Sequence, residues 1–380
     1  MERHDLRPRD DWQAQVEAQG LIWHSEGSEP YWDESGYYAF GLDEIERIEV
    51  ASESVHQLLV KAGDRIVAQP EIMTHFGIPD FCHQPICDAW QSGPPALHYG
   101  RFDFGYDGHG EPKLFEFNCD TPTSMLEAAV IQWDWKEACF PQLDQYTSLH
   151  EKLIARWAAL RPPLPGGRLW FTHSADPSHE DTITTTYLRD LAEQAGLETH
   201  AVVIDDIGLD ADGRIVDADD QLIGALFKLY PWEWIVEEDF GADIVRHLDD
   251  TIWIEPIWKM LWSNKAILAL LWEMFPDHPN LLPASFRAED VGPNYVAKPF
   301  LAREGANIEL VRGGETIARS GGEYLGGQML YQQLYPLRDF GKGYPVIGAW
   351  VVDGEAAGMG IREDGLITGN RARFVPHVIR

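Results

Sequence analysis

Tyr99-Gly-Arg-Phe-Asp-Phe-Gly105, a glycine-bearing turn, and then Lys113-Leu-Phe-Glu-Phe-Asn-Cys-Asp-Thr-Pro-Thr-Ser-Met-Leu-Glu127 form the stretch whose reading decides the fold. Both runs alternate with the period of two expected of half-buried strands. Arg101 and Asp103 fall on one side, with Phe102 and Phe104 on the other. Glu116 and Asn118 share a side, with Phe115 and Phe117 opposite. The segment from Tyr106 to Pro112, carrying Gly108 and Gly110, is suited to closing the two runs into a hairpin. The aromatic face is then core, and the other face presents one guanidinium, two carboxylates and an amide. Carboxylates and an amide oxygen are hard ligands that suit Mg²⁺, with phosphate oxygens completing the octahedron. A merely solvated hairpin face also alternates in charge, but it is usually richer in Lys and Thr than this compact set. The layout points to phosphoryl transfer.

Immediately downstream, Thr121-Pro122-Thr123-Ser124 leads into an apolar run, which predicts a helix from Ser124 to about Trp135. Pro stands early in its first turn, and Ser124 and Glu127 have capping-box spacing. A helix N-terminus with hydroxyls beside such a strand is a ready anion site.

Composition narrows the function classes. A chain of 380 residues has room for two or three domains with ample core. The first ten residues contain no apolar signal region, and no run approaches a membrane span, so a cytoplasmic protein is expected. Cys82, Cys87, Cys119 and Cys139 form no C-x-x-C pair, which argues against structural zinc or a disulfide framework. The net charge of −32 argues against nucleic acid and favours a cationic partner such as a polyamine. There is no internal repeat.

Residues 1–98 read as helical and loop-rich, with Ser54 to Ala62 and Glu71 to Phe76 as apolar-periodic pieces. Arg161-Pro-Pro-Leu-Pro-Gly-Gly167 is the clearest linker. Beyond it, a strand from Arg168, a helix from Glu180 to Ala195, and strands from His200 and Gly224 predict a small α/β layer over 166–230. The last third reads as a helix over Asn264 to Phe275 and a strand over Asn294 to Pro299. A glycine-dotted loop and strands at Met329 to Leu334 and Val346 to Val352 follow. The expected division is 1–160, 166–245 and 246–380.

This last third also carries nucleotide signals. Lys265 opens an apolar helix, and Lys298 lies inside the apolar strand Tyr-Val-Ala-Lys-Pro. A buried lysine needs an anionic partner, either a bound phosphate or a carboxylate. Phe300 to Asn307, with small residues around Gly305, is suited to folding over phosphates, although it matches no standard phosphate-loop pattern. Arg362 is placed either to meet a transferring phosphoryl group or to pair with Glu363 or Asp364.

Arg-Phe-Asp-Phe-Gly, Glu-Phe-Asn-Cys-Asp-Thr-Pro-Thr-Ser, Ser-Asn-Lys-Ala-Ile-Leu, Lys-Pro-Phe-Leu-Ala-Arg-Glu-Gly and Tyr-Gln-Gln-Leu, with the closing Gly-Ile-Arg-Glu-Asp, resemble the glutathionylspermidine synthase family. Within it the chain is most similar to the short stand-alone acid–amine ligase branch. The resemblance implies a circularly permuted ATP-grasp fold, mixed α+β and α/β, with a small pre-ATP-grasp-like substrate domain. The metal ligands precede the lysines here, which fits the permuted order. It implies an ATP- and Mg²⁺-dependent ligase that joins a small peptide or amino-acid-like acid to an amine through an acyl phosphate.

Carried over by position, the resemblance makes Asp103, Glu116 and Asn118 the Mg²⁺ ligands. Lys265 and Lys298 would hold the ATP phosphates, with Arg303 and Glu304 in the covering loop. Gln332, Gln333, Leu334 and Tyr335 would form the adenine hinge, and Leu366, Ile367 and Thr368 would lie near the nucleotide. Arg101 and Arg362 would stabilise the carboxylate, the phosphoryl group and the tetrahedral intermediate. Thr121, Thr123, Glu180 and Asp181 match substrate positions, although Glu180 and Asp181 equally suit the first turn of a helix.

The chain departs from the family pattern at Ala302, Val346 and Trp234, the last putting glutathione itself in question as the acid. Residues 1–98 are too short for a preceding amidase domain. Alternatives are glutathionylspermidine synthase proper, a kinase that stops at phosphorylation, and a nucleotide-binding regulator without turnover.

Overall fold

The computed structural model describes residues 1–380 apart from 177, 178 and 325. The alternating runs form a hairpin in which strands Tyr99–Gly105 and Lys113–Asn118 run antiparallel. Arg101 lies opposite Asn118, Phe102 opposite Phe117 and Asp103 opposite Glu116. Phe102 and Phe117 stack with ring centroids 4.0 Å apart and are buried, so period two holds for the core face.

One position departs from it. The register shifts after Asp103, so Phe104 meets Leu114 and Phe115 is left over. A bulge of this kind re-aims the extra side chain, and Phe115 lines a cleft instead of the core. Gly105 makes the room, since a Cβ there would come within 2.3 Å of the Phe115 ring.

The hairpin forms one edge of a five-stranded antiparallel sheet completed by Tyr344–Val352, Glu355–Asp364 and Arg373–Phe374. Helix Leu42–Ala68 packs on strands Tyr344–Val352 and Glu355–Asp364 through Ile45, Ile48, Val55, Leu59 and Ile66, residues spaced three, four or seven apart. The Ser54 to Ala62 piece lies inside this longer helix, and the next piece is helix Glu71–His75.

A second five-stranded antiparallel sheet has the order Ala284–Ser285, Met329–Gln333, Tyr295–Pro299, Glu309–Arg312, Glu315–Arg319. The expected α/β layer is a parallel sheet ordered Ile252–Ile254, Ala225–Leu229, Arg168–His173, Glu198–Val203. Helix Glu180–Gln194 connects its last two strands. Its first strand, Ile252–Ile254, comes from beyond residue 245, so this sheet uses more chain than the expected 166–245 span.

Residues 1–98 are not purely helical. Strands Glu2–Asp5 and Gly36–Phe40 form a three-stranded sheet with His377–Ile379. The helix expected from Ser124 begins at Met125, and its segment Glu127–Ile131 is π-helical before Gln132–Cys139 continues as α-helix. No capping box forms there: Ser124 takes a left-handed φ of 66°, and the Glu127 carboxylate accepts a hydrogen bond from Tyr31 instead. The helix expected over Asn264 to Phe275 is shorter, Ile267–Met274.

Candidate functional site

A cleft of about 1530 Å³ is lined by residues of both antiparallel sheets and of the Glu180–Gln194 helix. Every residue that the resemblance assigns to metal, nucleotide, substrate or catalysis lines it, from Arg101 to Thr368.

At its floor lies the polar face of the hairpin. Arg101 Nε donates to Asp103 Oδ1 at 2.8 Å, and Arg362 Nη2 donates to Asp103 Oδ2 at 2.5 Å. Arg362 therefore pairs with neither Glu363 nor Asp364. Glu363 is held instead by Arg3, Tyr38 and Arg373. Asn118 Nδ2 is 3.4 Å from both Asp103 Oδ2 and Glu116 Oε1. Glu116 Oε2 lies 3.0 Å from Lys265 Nζ. Burial works to raise the Glu116 pKa, but Lys265 and Lys298 outweigh it and hold the carboxyl below its ordinary range.

Lys265 and Lys298 converge from different elements. Lys265 precedes the Ile267–Met274 helix and donates to the Ala302 carbonyl at 2.6 Å. Lys298, on the central strand of the second sheet, donates to Gln332 Oε1 at 2.8 Å and to the Phe115 carbonyl at 3.0 Å. Its hydrogen-bond partners are thus neutral oxygens, and burial pushes its pKa down to about 8 despite the pull of Glu116. Gln332 closes the link by donating to the Leu114 carbonyl at 2.9 Å, tying the two sheets together. Gln333 and Leu334 give their N–H groups to the carbonyls of Pro283 and Asn294. The Arg303–Asn307 loop lies against the Leu366–Thr368 segment, where a Cβ at Gly305 would come 2.4 Å from the Thr368 carbonyl.

At the other end of the cleft, Arg303 Nη1 donates to Thr121 Oγ1 at 2.8 Å and Nη2 to Glu233 at 2.5 Å. Its guanidinium also lies 5.6 Å from the Trp234 ring centroid. Arg303, from the loop expected to cover the phosphates, thus engages Thr121 and Glu233. The Thr123 carbonyl accepts from Arg101 Nη1 at 2.7 Å. Glu180 and Asp181 open their helix and also line the cleft. Burial, with the charges of Asp176 and Glu180, pushes the Asp181 carboxyl up to about 7. Sequence reasoning missed Tyr31 and Glu233: Tyr31 sits in a stretch without periodicity, and Glu233 is flanked by two tryptophans that read as packing.

The fold is of the glutathione synthetase-like kind. A glutathione synthetase-like effector from Globodera pallida, solved in its apo form, superposes with a TM-score of 0.57 at 11% identity, covering 97% of this chain and 96% of its own. The family model described as glutathionylspermidine synthase preATP-grasp matches residues 3–380, and the chain belongs to that family.

A Haemophilus influenzae protein named "Putative acid--amine ligase" is 42% identical over 369 residues, covering 93% of this chain and 92% of its own. Trypanothione synthetase of Crithidia fasciculata is 30% identical over 84% of this chain. The bifunctional glutathionylspermidine synthetase/amidase of Escherichia coli K12 is 26% identical over 92% of it. The matches span 53% and 59% of the length of those two relatives. The relatives are ligases, and this chain is an enzyme of that C–N bond-forming class. No helix among the described residues is long and apolar enough to cross a membrane.

Proposed function

We propose that this enzyme joins a small peptide or amino-acid-like acid to a cationic amine at the expense of ATP, through an acyl phosphate, releasing ADP and phosphate. The observation that carries the reading is the convergence on Asp103: two arginines meet one carboxylate, directly across the hairpin from a glutamate bound to a lysine. Two forks and a point charge on one spot are what a charge-dispersed phosphoryl and acyl transfer needs.

In this reading the fold is a circularly permuted ATP-grasp. Residues 1–160 carry the hairpin, 166–245 the substrate unit (its sheet completed by Ile252–Ile254), and 246–380 the nucleotide region. Lys265 and Lys298 bind ATP phosphates, and Arg303 and Glu304 cover them. Gln332, Gln333, Leu334 and Tyr335 lie along the adenine, with Leu366, Ile367 and Thr368 closing over it. Because Gln333 and Leu334 have committed their N–H groups, adenine recognition falls to the carbonyls of this segment and to Tyr335. Arg101 and Arg362 orient the substrate carboxylate and the phosphoryl group, and Thr121, Thr123, Glu180 and Asp181 hold the acid and the amine.

The donor set fits Mg²⁺. Among the described residues no group of three or more His, Cys, Asp and Glu forms a metal cluster. The ion would therefore rest on Asp103, Glu116 and the Asn118 amide, as suits a cation that keeps waters and shares phosphate oxygens. The Asn118 amide presents oxygen instead of nitrogen when turned over. Mg²⁺ would supply charge neutralisation on the phosphates. All four cysteines are free, which supports a reducing, cytoplasmic setting.

The test is Mg²⁺-dependent phosphate release from ATP across a panel of acids and amines that includes glutathione with spermidine, followed by mass spectrometry. Release requiring both partners, with a product lighter by water than their sum, is expected. Release with an acid alone and no amide would favour a kinase.

A further inference from the structure

Tyr31 follows the short hairpin of Ser25–Glu26 and Glu29–Pro30 and lines the cleft. Its hydroxyl donates to Glu127 Oε1 at 2.6 Å and lies 3.5 Å from Ser124 Oγ. Glu127 is 1% exposed and heads the π-helical segment, a local widening that is frequent at functional sites. Its carboxylate takes part in none of the ion pairs found among the described residues, unlike the floor carboxylates Asp103 and Glu116. The charged groups that face the Tyr31–Glu127 pair are Glu180, from the neighbouring helix, and Arg101, from the hairpin. The pair therefore stands between the acidic corner and the arginine assigned above to the substrate carboxylate.

The acidic corner suits an amine in its ammonium form, and an ammonium ion is no nucleophile. Some group beside Arg101 must take a proton before a C–N bond can form. We propose that Tyr31, backed by Glu127, is the acceptor of the proton that the amine surrenders before attack. This rests on the ligase reading. The ammonium N–H proton passes to Tyr31 Oη while the Tyr31 hydroxyl proton passes to Glu127 Oε1. The freed nitrogen lone pair forms the C–N bond, and the C–O bond to phosphate breaks with its electron pair leaving on the phosphate. The second nitrogen proton departs with the phosphate, and Glu127 returns its proton to water. Burial raises the Glu127 carboxyl to about 7, against the pull of the Tyr31 hydrogen bond and with the push of Glu180, which suits a group that takes and returns a proton near neutrality.

The experiment compares two nucleophiles on one acyl phosphate, with ATP, Mg²⁺ and glutathione as the acid probe. Hydroxylamine is uncharged near neutral pH and needs no proton acceptor before attack, whereas spermidine does. The full-length parent, Tyr31→Phe and Glu127→Gln are assayed for hydroxamate and for amide, with thermal unfolding recorded for each. Expected is a loss of amide formation about 100-fold greater than the loss of hydroxamate formation in both variants, in the range of general base removal. Equal losses on both nucleophiles, or no loss on either, overturn the proposal. A parent that makes neither product overturns the ligase reading for this acid, and the inference falls with it. Tyr31→Phe keeps the ring and its packing, so the comparison stands even where Glu127→Gln fails to fold.

Discussion

Asp120 and Lys228 make an ion pair of 2.6 Å with both side chains sealed from solvent, joining the turn after the hairpin to the parallel sheet. The other Asp120 oxygen accepts from the Trp232 backbone N–H at 2.9 Å, at the start of helix Trp232–Ile235. That helix carries Glu233, which holds Arg303, and Trp234, which lines the cleft. One carboxylate thus sets the turn bearing Thr121 and Thr123 and the helix beside it.

Removing one partner of such a pair leaves a charge in a dry interior. Lys228→Met is expected to cost about 3–5 kcal/mol in urea unfolding. The double variant Asp120→Asn with Lys228→Met should recover part of that loss. A single variant as stable as the parent would contradict the pairing.

Glu116→Gln removes a cleft charge and leaves the hairpin core untouched, because Phe102 and Phe117 pack on the opposite face. Turnover should vanish while the variant still unfolds cooperatively, with a midpoint lowered by the loss of the Lys265 partner. Phosphate release persisting at saturating Mg²⁺ would remove Glu116 from the proposed metal set.

Arg362→Lys tests the second guanidinium on Asp103. An ammonium keeps the charge but not the planar pair of donors, so the rate should fall at least about tenfold. Steady-state kinetics with both substrates saturating would check this. An unchanged rate would reduce Arg362 to a partner of Asp103 alone.

Asp181 gives a pH signature. Its folded pKa, pushed up to about 7 by burial and by the charges of Asp176 and Glu180, stands above the ordinary value of 3.8. Between those values the folded protein holds a proton that the unfolded chain has released, so this residue's contribution falls as pH rises across the window and levels off above it. Asp181→Asn should therefore gain stability relative to the parent from pH 4 to 7, and the gain should stay constant at pH 8. Urea unfolding at several pH values would show it; a flat difference would place Asp181 in water.

The hairpin was legible because its pairing is local and its faces alternate over a short span. The same period misplaced Phe115, since a bulge leaves no mark on an alternating pattern. Strands Glu2–Asp5 and Gly36–Phe40 went unread because the sheet they form is completed by His377–Ile379, far along the chain. Ile252–Ile254 is too short to carry a period at all. In the cleft, residues with motif neighbours were found, whereas Tyr31 became visible only when folding brought it to Glu127. Glu127 itself was misread as a cap because its spacing from Ser124 suits one, but the left-handed backbone at Ser124 rules that geometry out.

The floor of the cleft carries its own counterions. Asp103 is matched by Arg101 and Arg362, and Glu116 by Lys265, within hydrogen-bonding distances. The two carboxylates hold three of the cations in place, and the surplus positive charge, to which Lys298 adds, is set to meet an anion. Arrival of a polyanion together with a divalent cation then becomes an exchange of partners: the carboxylates turn to the cation, and the guanidinium and ammonium groups turn to the anion. Each arrival releases what the other needs, and by reciprocity each must tighten the hold on the other.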